Sequence, residues 1–297
     1  MAEDSGRERK RVKQLLILSG KGGTGKTTTA AAFIDFAKAR AFADCDVDAP
    51  NLHLVSNFTK EPAVTPYFGG QKAQIDPTIC SRCGRCKEHC RFGAIRENAH
   101  GFTVDPISCE GCGVCVAVCP VQAVCLLDDM AGEQALYREN AVFSTAKLKM
   151  GRGNSGKLVT EVKKALTQES DAELVIIDGS PGIGCPVIAS VSGVDMVLLV
   201  AEPSLSGLSD LKRVAQICRG FGTKTAICVN KADVSPKNTD KVAQFCEEED
   251  IPFLGTIPYD KAVPQAINAG HSIAESDSPA RTALKKIFEQ TMRLLNE

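Results

Sequence analysis

The run Gly20-Lys21-Gly22-Gly23-Thr24-Gly25-Lys26-Thr27-Thr28 follows the aliphatic residues Leu15-Leu16-Ile17-Leu18 and precedes an alanine-rich stretch. Few arrangements accommodate this order. A short apolar strand must end in a glycine-rich loop that opens directly into a helix. The glycines free the loop to turn its backbone N–H groups inward, and the first helical turn adds the positive end of its dipole. That geometry cradles phosphates. Lys26 is placed to put a full positive charge on β- and γ-phosphates, and the Thr27 hydroxyl to ligate Mg²⁺. Gly20, Gly22, Gly23, Thr24, Gly25 and Thr28 complete the loop that would surround a bound nucleotide.

The remainder of the chain supports such a loop. Strands are predicted at 14–19, 41–46, 174–178, 196–201 and 225–230, and helices at 27–38, 156–168, 186–192, 207–219, 239–248 and 279–295. Wholly apolar strands alternating with amphipathic helices predict a parallel sheet covered on both faces, an α/β fold.

Residues 73–126 break the rhythm. Cys80-x₂-Cys83-x₂-Cys86-x₃-Cys90 is repeated 29 residues later as Cys109-x₂-Cys112-x₂-Cys115-x₃-Cys119. The flanks repeat too: Ile75-Asp76-Pro77 matches Val104-Asp105-Pro106, and Phe92-Gly93-Ala94-Ile95 matches Val121-Gln122-Ala123-Val124. Duplication on this scale predicts a module with internal two-fold pseudosymmetry, inserted at 73–126 into a host domain formed by 1–72 and 127–297. Gly69-Gly70 and residues 128–139 are the expected junctions.

The chain holds fourteen cysteines, and eight of them lie in these two runs. Clustered cysteines in a reducing compartment point to metal ligation rather than disulfides. Zinc also uses C-x₂-C units, but as two pairs, whereas duplicated four-cysteine runs suit iron–sulfur clusters. Cys45, Cys125, Cys185, Cys218, Cys228 and Cys246 are scattered and read as small core residues, with a redox or ligand role as the other reading of Cys185. The formal net charge of -1 favours no polyanionic partner, so nucleic-acid binding is not expected. The basic run from Arg7 to Lys13 reads as a solvated lead-in. The apolar run behind it is too short for a signal core or a membrane span, which predicts a cytoplasmic protein without stable membrane insertion. In the last helix Leu284, Ile287, Phe288, Met292 and Leu295 form one apolar stripe, the mark of a capping helix.

With a second lysine, Lys21, directly after the first glycine, the loop resembles the deviant Walker A motif of the MinD/ParA/nitrogenase-iron-protein group of P-loop ATPases, of the SIMIBI type. The resemblance implies an ATP-sandwich homodimer in which Lys21 reaches the partner's nucleotide. Asp44-Cys45-Asp46 resembles the family's switch I, with Asp46 orienting the attacking water. Asp178 resembles the Walker B acid that holds Mg²⁺ through water. Gly179-Ser180-Pro181-Gly182 resembles switch II, where Gly182 senses the γ-phosphate. Asn230 and Pro258 match positions that recognise the adenine. Lys21, Lys26 and Asp46 would then form the catalytic set, acting by positioning and charge stabilisation.

The cysteine runs resemble those of two-cluster bacterial ferredoxins, an α+β module. That resemblance implies two [4Fe–4S] clusters, one on Cys80, Cys83, Cys86 and Cys119, the other on Cys109, Cys112, Cys115 and Cys90. One departure is Arg91, which stands where the second run has Pro120. Cys185 lies at the distance behind switch II where the nitrogenase iron protein carries a cluster ligand, without that protein's second, upstream cysteine. The leading expectation is a slow ATPase whose nucleotide-driven dimer switch gates electron transfer to a redox partner. The alternatives are an ATP-dependent cluster carrier or assembly factor, and a redox-sensing regulatory ATPase.

Overall fold

The computed structural model describes residues 12–297. Residues 7–11 of the N-terminal basic run lie outside the described residues. The chain enters through β1 (Lys13–Leu18), α1 (Lys26–Ala37) and β2 (Ala41–Asp44). A 3₁₀ turn, Leu52–Val55, leads to β3 (Ala63–Ile75). Then follow α2 (Arg85–Glu88), β4 (Ile95–Asn98), β5 (Gly101–Val104), α3 (Val114–Ala117) and the long β6 (Val124–Arg138). The path continues through β7 (Val142–Leu148), α4 (Ser155–Glu169), β8 (Leu174–Asp178), α5 (Cys185–Val191), β9 (Met196–Ala201) and α6 (Leu205–Gly220). It closes with β10 (Lys224–Asn230), α7 (Pro236–Glu248), β11 (Phe253–Ile257), α8 (Ala262–Asn268) and α9 (Pro279–Asn296).

Two compact units result. The first comprises the described residues up to Val64, with Gln134–Lys147 and Gly156–Glu297; the second comprises Thr65–Glu133 and Leu148–Ser155. In the first unit the strand order is β11-β10-β9-β1-β8-β2-β7. Every pairing from β11 to β7 is parallel. β1 lies between β8 and β9, so the loop that follows it opens at the carboxyl ends of the central strands, where open α/β sheets bind ligands. Leu15, Leu16, Ile17 and Leu18 are fully buried, as are Val197, Leu198, Leu199 and Val200 of β9. Each such side chain contributes about 1.5–3 kcal/mol by leaving water. α9 places Leu284, Ile287, Phe288 and Leu295 in one core with Leu15, Ile17, Leu198 and Val200, with Met292 packed at its margin, as its stripe predicts.

β2 stops at Asp44, two residues short of the predicted strand. The cause is the Asp44 carboxylate, which accepts the backbone N–H groups of Asp46, Asn51 and Leu52 at 2.9 Å each and turns the chain out of the sheet.

The second unit is wider than the 73–126 read from the repeat, because β3 and β6 extend past both ends of it. The boundary at Glu133–Gln134 falls inside the junction expected at 128–139, within β6, whereas the first boundary lies at Val64–Thr65, ahead of the expected Gly69-Gly70. Inside the unit the pseudosymmetry is followed bond by bond. Asp76 N–H donates to the Ala123 carbonyl and Asp105 N–H to the Ala94 carbonyl, so each half closes on the other. Gly84 and Gly113 precede the single-turn helices α2 and α3 with φ of 77° and 78°. β4 and β5 form an antiparallel hairpin.

Candidate nucleotide site and paired cysteine runs

Gly25, with φ 95°, ends the loop and caps α1. A Cβ at this position would overlap the Asn230 amide, so both backbone angle and space demand glycine. Lys26 is 5% exposed, and its Nζ lies 2.8 Å from Asp178 Oδ1, 3.5 Å from Asp46 Oδ2 and 3.4 Å from Thr27 Oγ1. Burial alone would discharge the ammonium, but Asp178 and then Asp46 hold its pKa above the usual lysine value. Burial pushes Asp46 upward, against the pull of Lys26. Asp44, fully buried and beside Asp178, is pushed up to about 7, chiefly by desolvation. Three carboxylates thus face one buried ammonium.

Asp178 Oδ2 is buried and, among the described residues, has no hydrogen-bond partner. An orphaned carboxylate oxygen, on a residue that shares Lys26 with the Thr27 hydroxyl, fits a divalent cation. The segments expected to act as switches are bonded to each other and to the loop. Cys45 N–H donates to the Asp178 carbonyl (2.7 Å), Ser180 O–H to the Cys45 carbonyl (2.6 Å), and Gly182 N–H to the Ser19 carbonyl (3.1 Å).

Above these residues lies a cleft of about 700 Å³, open to solvent. Gly22, Gly23, Gly25, Lys26, Thr27, Thr28 and Asp46 line it, as expected. So do Leu54, Val55, Ile267, His271 and Ile273, which were not expected and carry no motif. Asn230 and Pro258 do not line it. The Asn230 amide donates to the Thr24 carbonyl at 2.8 Å and the Lys231 ammonium to the Gly23 carbonyl at 3.2 Å, so both buttress the loop from outside. Gly20 is crowded by Asp210, which leaves no room for a side chain there. Lys21 is turned away from the cleft, its Nζ 2.7 Å from Glu202 Oε2 and 3.3 Å from Ser204 Oγ.

In the second unit, six of the eight run cysteines (Cys80, Cys86, Cys90, Cys109, Cys115, Cys119) belong to or pack against one apolar cluster with Ile95, Phe102 and Val124. Cys83 and Cys112, equivalent by pseudosymmetry, are exposed. A small cavity of about 20 Å³ is lined by Cys90 together with Cys109, Cys112 and Cys115. The fourth cysteine of the first run therefore borders the same cavity as the first three of the second. Backbone donors point at sulfur: Ala73 N–H lies 3.4 Å from Cys109 Sγ and Ala123 N–H 3.2 Å from Cys119 Sγ. The Arg85 backbone N–H draws the Cys83 thiol below its usual value, whereas burial pushes Cys86 and Cys115 up. Arg91 does not distort its loop. Gly93 N–H bonds the Cys90 carbonyl (3.4 Å) as Gln122 N–H bonds the Cys119 carbonyl (3.3 Å).

Of the scattered cysteines, Cys45, Cys218, Cys228 and Cys246 are buried as expected. Cys125 and Cys185 are exposed instead. Cys125 falls on an outward position of β6, and Cys185 opens α5 directly after the switch II loop, so neither is enclosed. Among the described residues no helix is long and apolar enough to cross a membrane.

Residues 15–273 match the model of the CobQ/CobB/MinD/ParA nucleotide binding domain. Uncharacterized protein MJ0578 of Methanocaldococcus jannaschii is 31% identical over 292 residues, covering 94% of this chain and 96% of that protein. The cytosolic Fe-S cluster assembly factor Nubp1 homolog of Drosophila pseudoobscura pseudoobscura is 24% identical over 303 residues, covering 95% and 82%. Among solved structures, the septum site-determining protein MinD of Pyrococcus horikoshii, complexed with Mg-ADP, superposes with a TM-score of 0.59 at 18% identity, covering 96% and 97%. With this match across most of its length, a phosphate loop at the centre of a mostly parallel sheet and a cation-ready acid beside it, the chain belongs to the CobQ/CobB/MinD/ParA family of P-loop nucleotide-binding proteins.

Proposed function

We propose that this chain is a cytoplasmic ATPase that works as a homodimer and carries two [4Fe–4S] clusters in a ferredoxin-like module, with dimer closure on ATP gating electron transfer to a redox partner. The observation that carries the reading is the shared cavity of Cys90, Cys109, Cys112 and Cys115, which joins the two runs as crossed ligation requires. Among the described residues no three His, Cys, Asp or Glu side chains are grouped to hold one metal ion. A four-iron cluster asks for something else, one thiolate per iron. When bound, each cluster supplies storage for a single electron.

At the nucleotide, Thr27 and Asp178 would hold Mg²⁺, which supplies charge compensation on the phosphates. Lys26 is already fixed by Asp178 beside the phosphate position, so little reorganisation is left for the reaction. Asp46, whose affinity for a proton is raised by burial, can accept a hydrogen bond from water and orient it. Lys21 must leave Glu202 and Ser204 of its own chain to reach a partner's nucleotide, which ties dimer closure to the exchange of one ion pair for another. The hydrogen bond from Ser180 to the Cys45 carbonyl makes the two switches move together.

Anaerobic purification followed by iron and sulfide analysis tests the reading. About eight of each per chain are expected, with reduced-cluster EPR signals after dithionite. Stoichiometric zinc in place of iron would end it. A second reading, an ATP-dependent cluster carrier or assembly factor, is favoured by the likeness to the Nubp1 homolog. Incubation with an apo-acceptor separates the two: ATP-stimulated iron transfer within minutes supports the carrier, and retained clusters support the electron path.

A further inference from the structure

The two cysteine runs share a backbone but not a surface. Residues 81–91 hold Arg82, Arg85, Lys87 and Arg91 against one carboxylate, Glu88. Their counterparts 29 residues on are Gly111, Val114, Val116 and Pro120, and residues 110–120 hold one carboxylate, Glu110, and no cation. Every cation of the first turn has thus been exchanged for an uncharged residue in the second, on superimposable local folds: α2 and α3 carry the same capping geometry within a few degrees. All four cations are exposed. Lys87 is neutralised by Glu97 at 3.1 Å, but among the described residues Arg82, Arg85 and Arg91 have no ion-pair partner. Cys83, the most open thiol of its run, lies between Arg82 and Arg85 in sequence. The chain as a whole carries a formal charge of -1, so the concentration of free guanidinium groups here is local and not a reflection of composition.

We infer that the Arg82–Arg85–Arg91 turn is the docking surface for an acidic redox protein, and that the uncharged Val114–Val116–Pro120 turn is not. The inference rests on the cluster reading above for its purpose, and on the surface alone for its chemistry. Guanidinium groups steer and orient a carboxylate-bearing partner over about a Debye length. They are planar, permanently charged donors suited to carboxylates. The cations beside the second run are already engaged, Lys72 with the Cys109 carbonyl and Arg152 with Asp129 and the Pro106 carbonyl, so a partner addresses Cys83 and its neighbours in preference to Cys112.

The test uses anaerobically purified full-length protein and an acidic flavodoxin as probe, with affinity read by isothermal titration calorimetry at about 50 mM and 300 mM salt. The triple variant R82E/R85E/R91E is expected to weaken binding at low salt by roughly tenfold or more and to flatten its salt dependence. The charge-matched control K237E/K241E/K286E is expected to bind as the parent does. Equal losses in both variants, no loss in the triple variant, or no binding at low salt overturns the inference. So does an oligonucleotide or anionic vesicle held by the same arginines in preference to the flavodoxin. Iron content is measured on every sample. Where the triple variant loses iron, R85Q/R91Q takes its place with a smaller expected effect. Full iron without docking sinks the surface alone, and docking by an iron-free protein sinks the cluster reading alone.

Discussion

Replacing Asp44 with Asn changes how stability depends on pH, by an amount the structure sets. Asp44 is fully buried, accepts three backbone N–H groups, and its carboxyl is pushed from 3.8 to about 7 by desolvation first and Asp178 second. A folded-state pKa above the unfolded one means the native state binds the proton more tightly. This group's contribution is therefore fully present below the unfolded value and is lost as pH rises through about 7. At about 1.4 kcal/mol per pKa unit, the loss between pH 5 and pH 8 is about 3 kcal/mol. Asn cannot titrate, so Asp44→Asn removes that slope. Near pH 5 both side chains are neutral and the two proteins have similar stability, whereas at pH 8 the variant is spared the buried charge and its repulsion by Asp178 and is the more stable by up to about 3 kcal/mol. Thermal unfolding of both proteins by circular dichroism, without nucleotide, reads this as a small gap in Tm at pH 5 that opens to several degrees in the variant's favour by pH 8. Parallel pH profiles for parent and variant would refute the reasoning, because they would mean Asp44 is ionised throughout.

Lys26→Met leaves Asp178 buried without its cation. It should abolish nucleotide binding and lower stability by about 3–5 kcal/mol near neutral pH, measured by calorimetry and urea unfolding. Asn230→Ala removes the donor to the Thr24 carbonyl and should weaken Mg-nucleotide affinity by several-fold through a loosened loop, with about 1 kcal/mol lost in stability. Cys90→Ser should lower iron by up to about half while Cys125→Ser leaves it unchanged, since only Cys90 shares the thiol-lined cavity.

The phosphate loop was legible because its backbone demands glycine at fixed places, and the cysteine runs because cluster ligation fixes spacing. Such demands are local, and local demands show in a single sequence. The long strands β3 and β6 were not legible. β3 carries Pro66, Gly69 and Gly70, and β6 carries Asp128 and Asp129, all turn or loop signals, and most of their residues are exposed or half-buried, so no apolar run marks them. Asn230 was placed correctly at a strand end, but a strand end does not say where an amide points; here it points at the loop rather than into the cleft. Glu202 as the partner of Lys21, and Ile267, His271 and Ile273 as cleft walls, depend on contacts more than two hundred residues from the phosphate loop or nearly so, and no motif announces them. Exposure of Cys125 and Cys185 likewise follows from strand phase and loop path rather than from composition.

The central claim is that nucleotide and clusters are coupled, and linkage requires that coupling to act in both directions. An EPR-monitored redox titration of the anaerobic protein with no nucleotide, with MgADP and with a non-hydrolysable MgATP analogue tests it most directly. A midpoint potential that shifts between the MgADP and MgATP-analogue samples is the result the account predicts. Clusters that titrate identically in all three would contradict it.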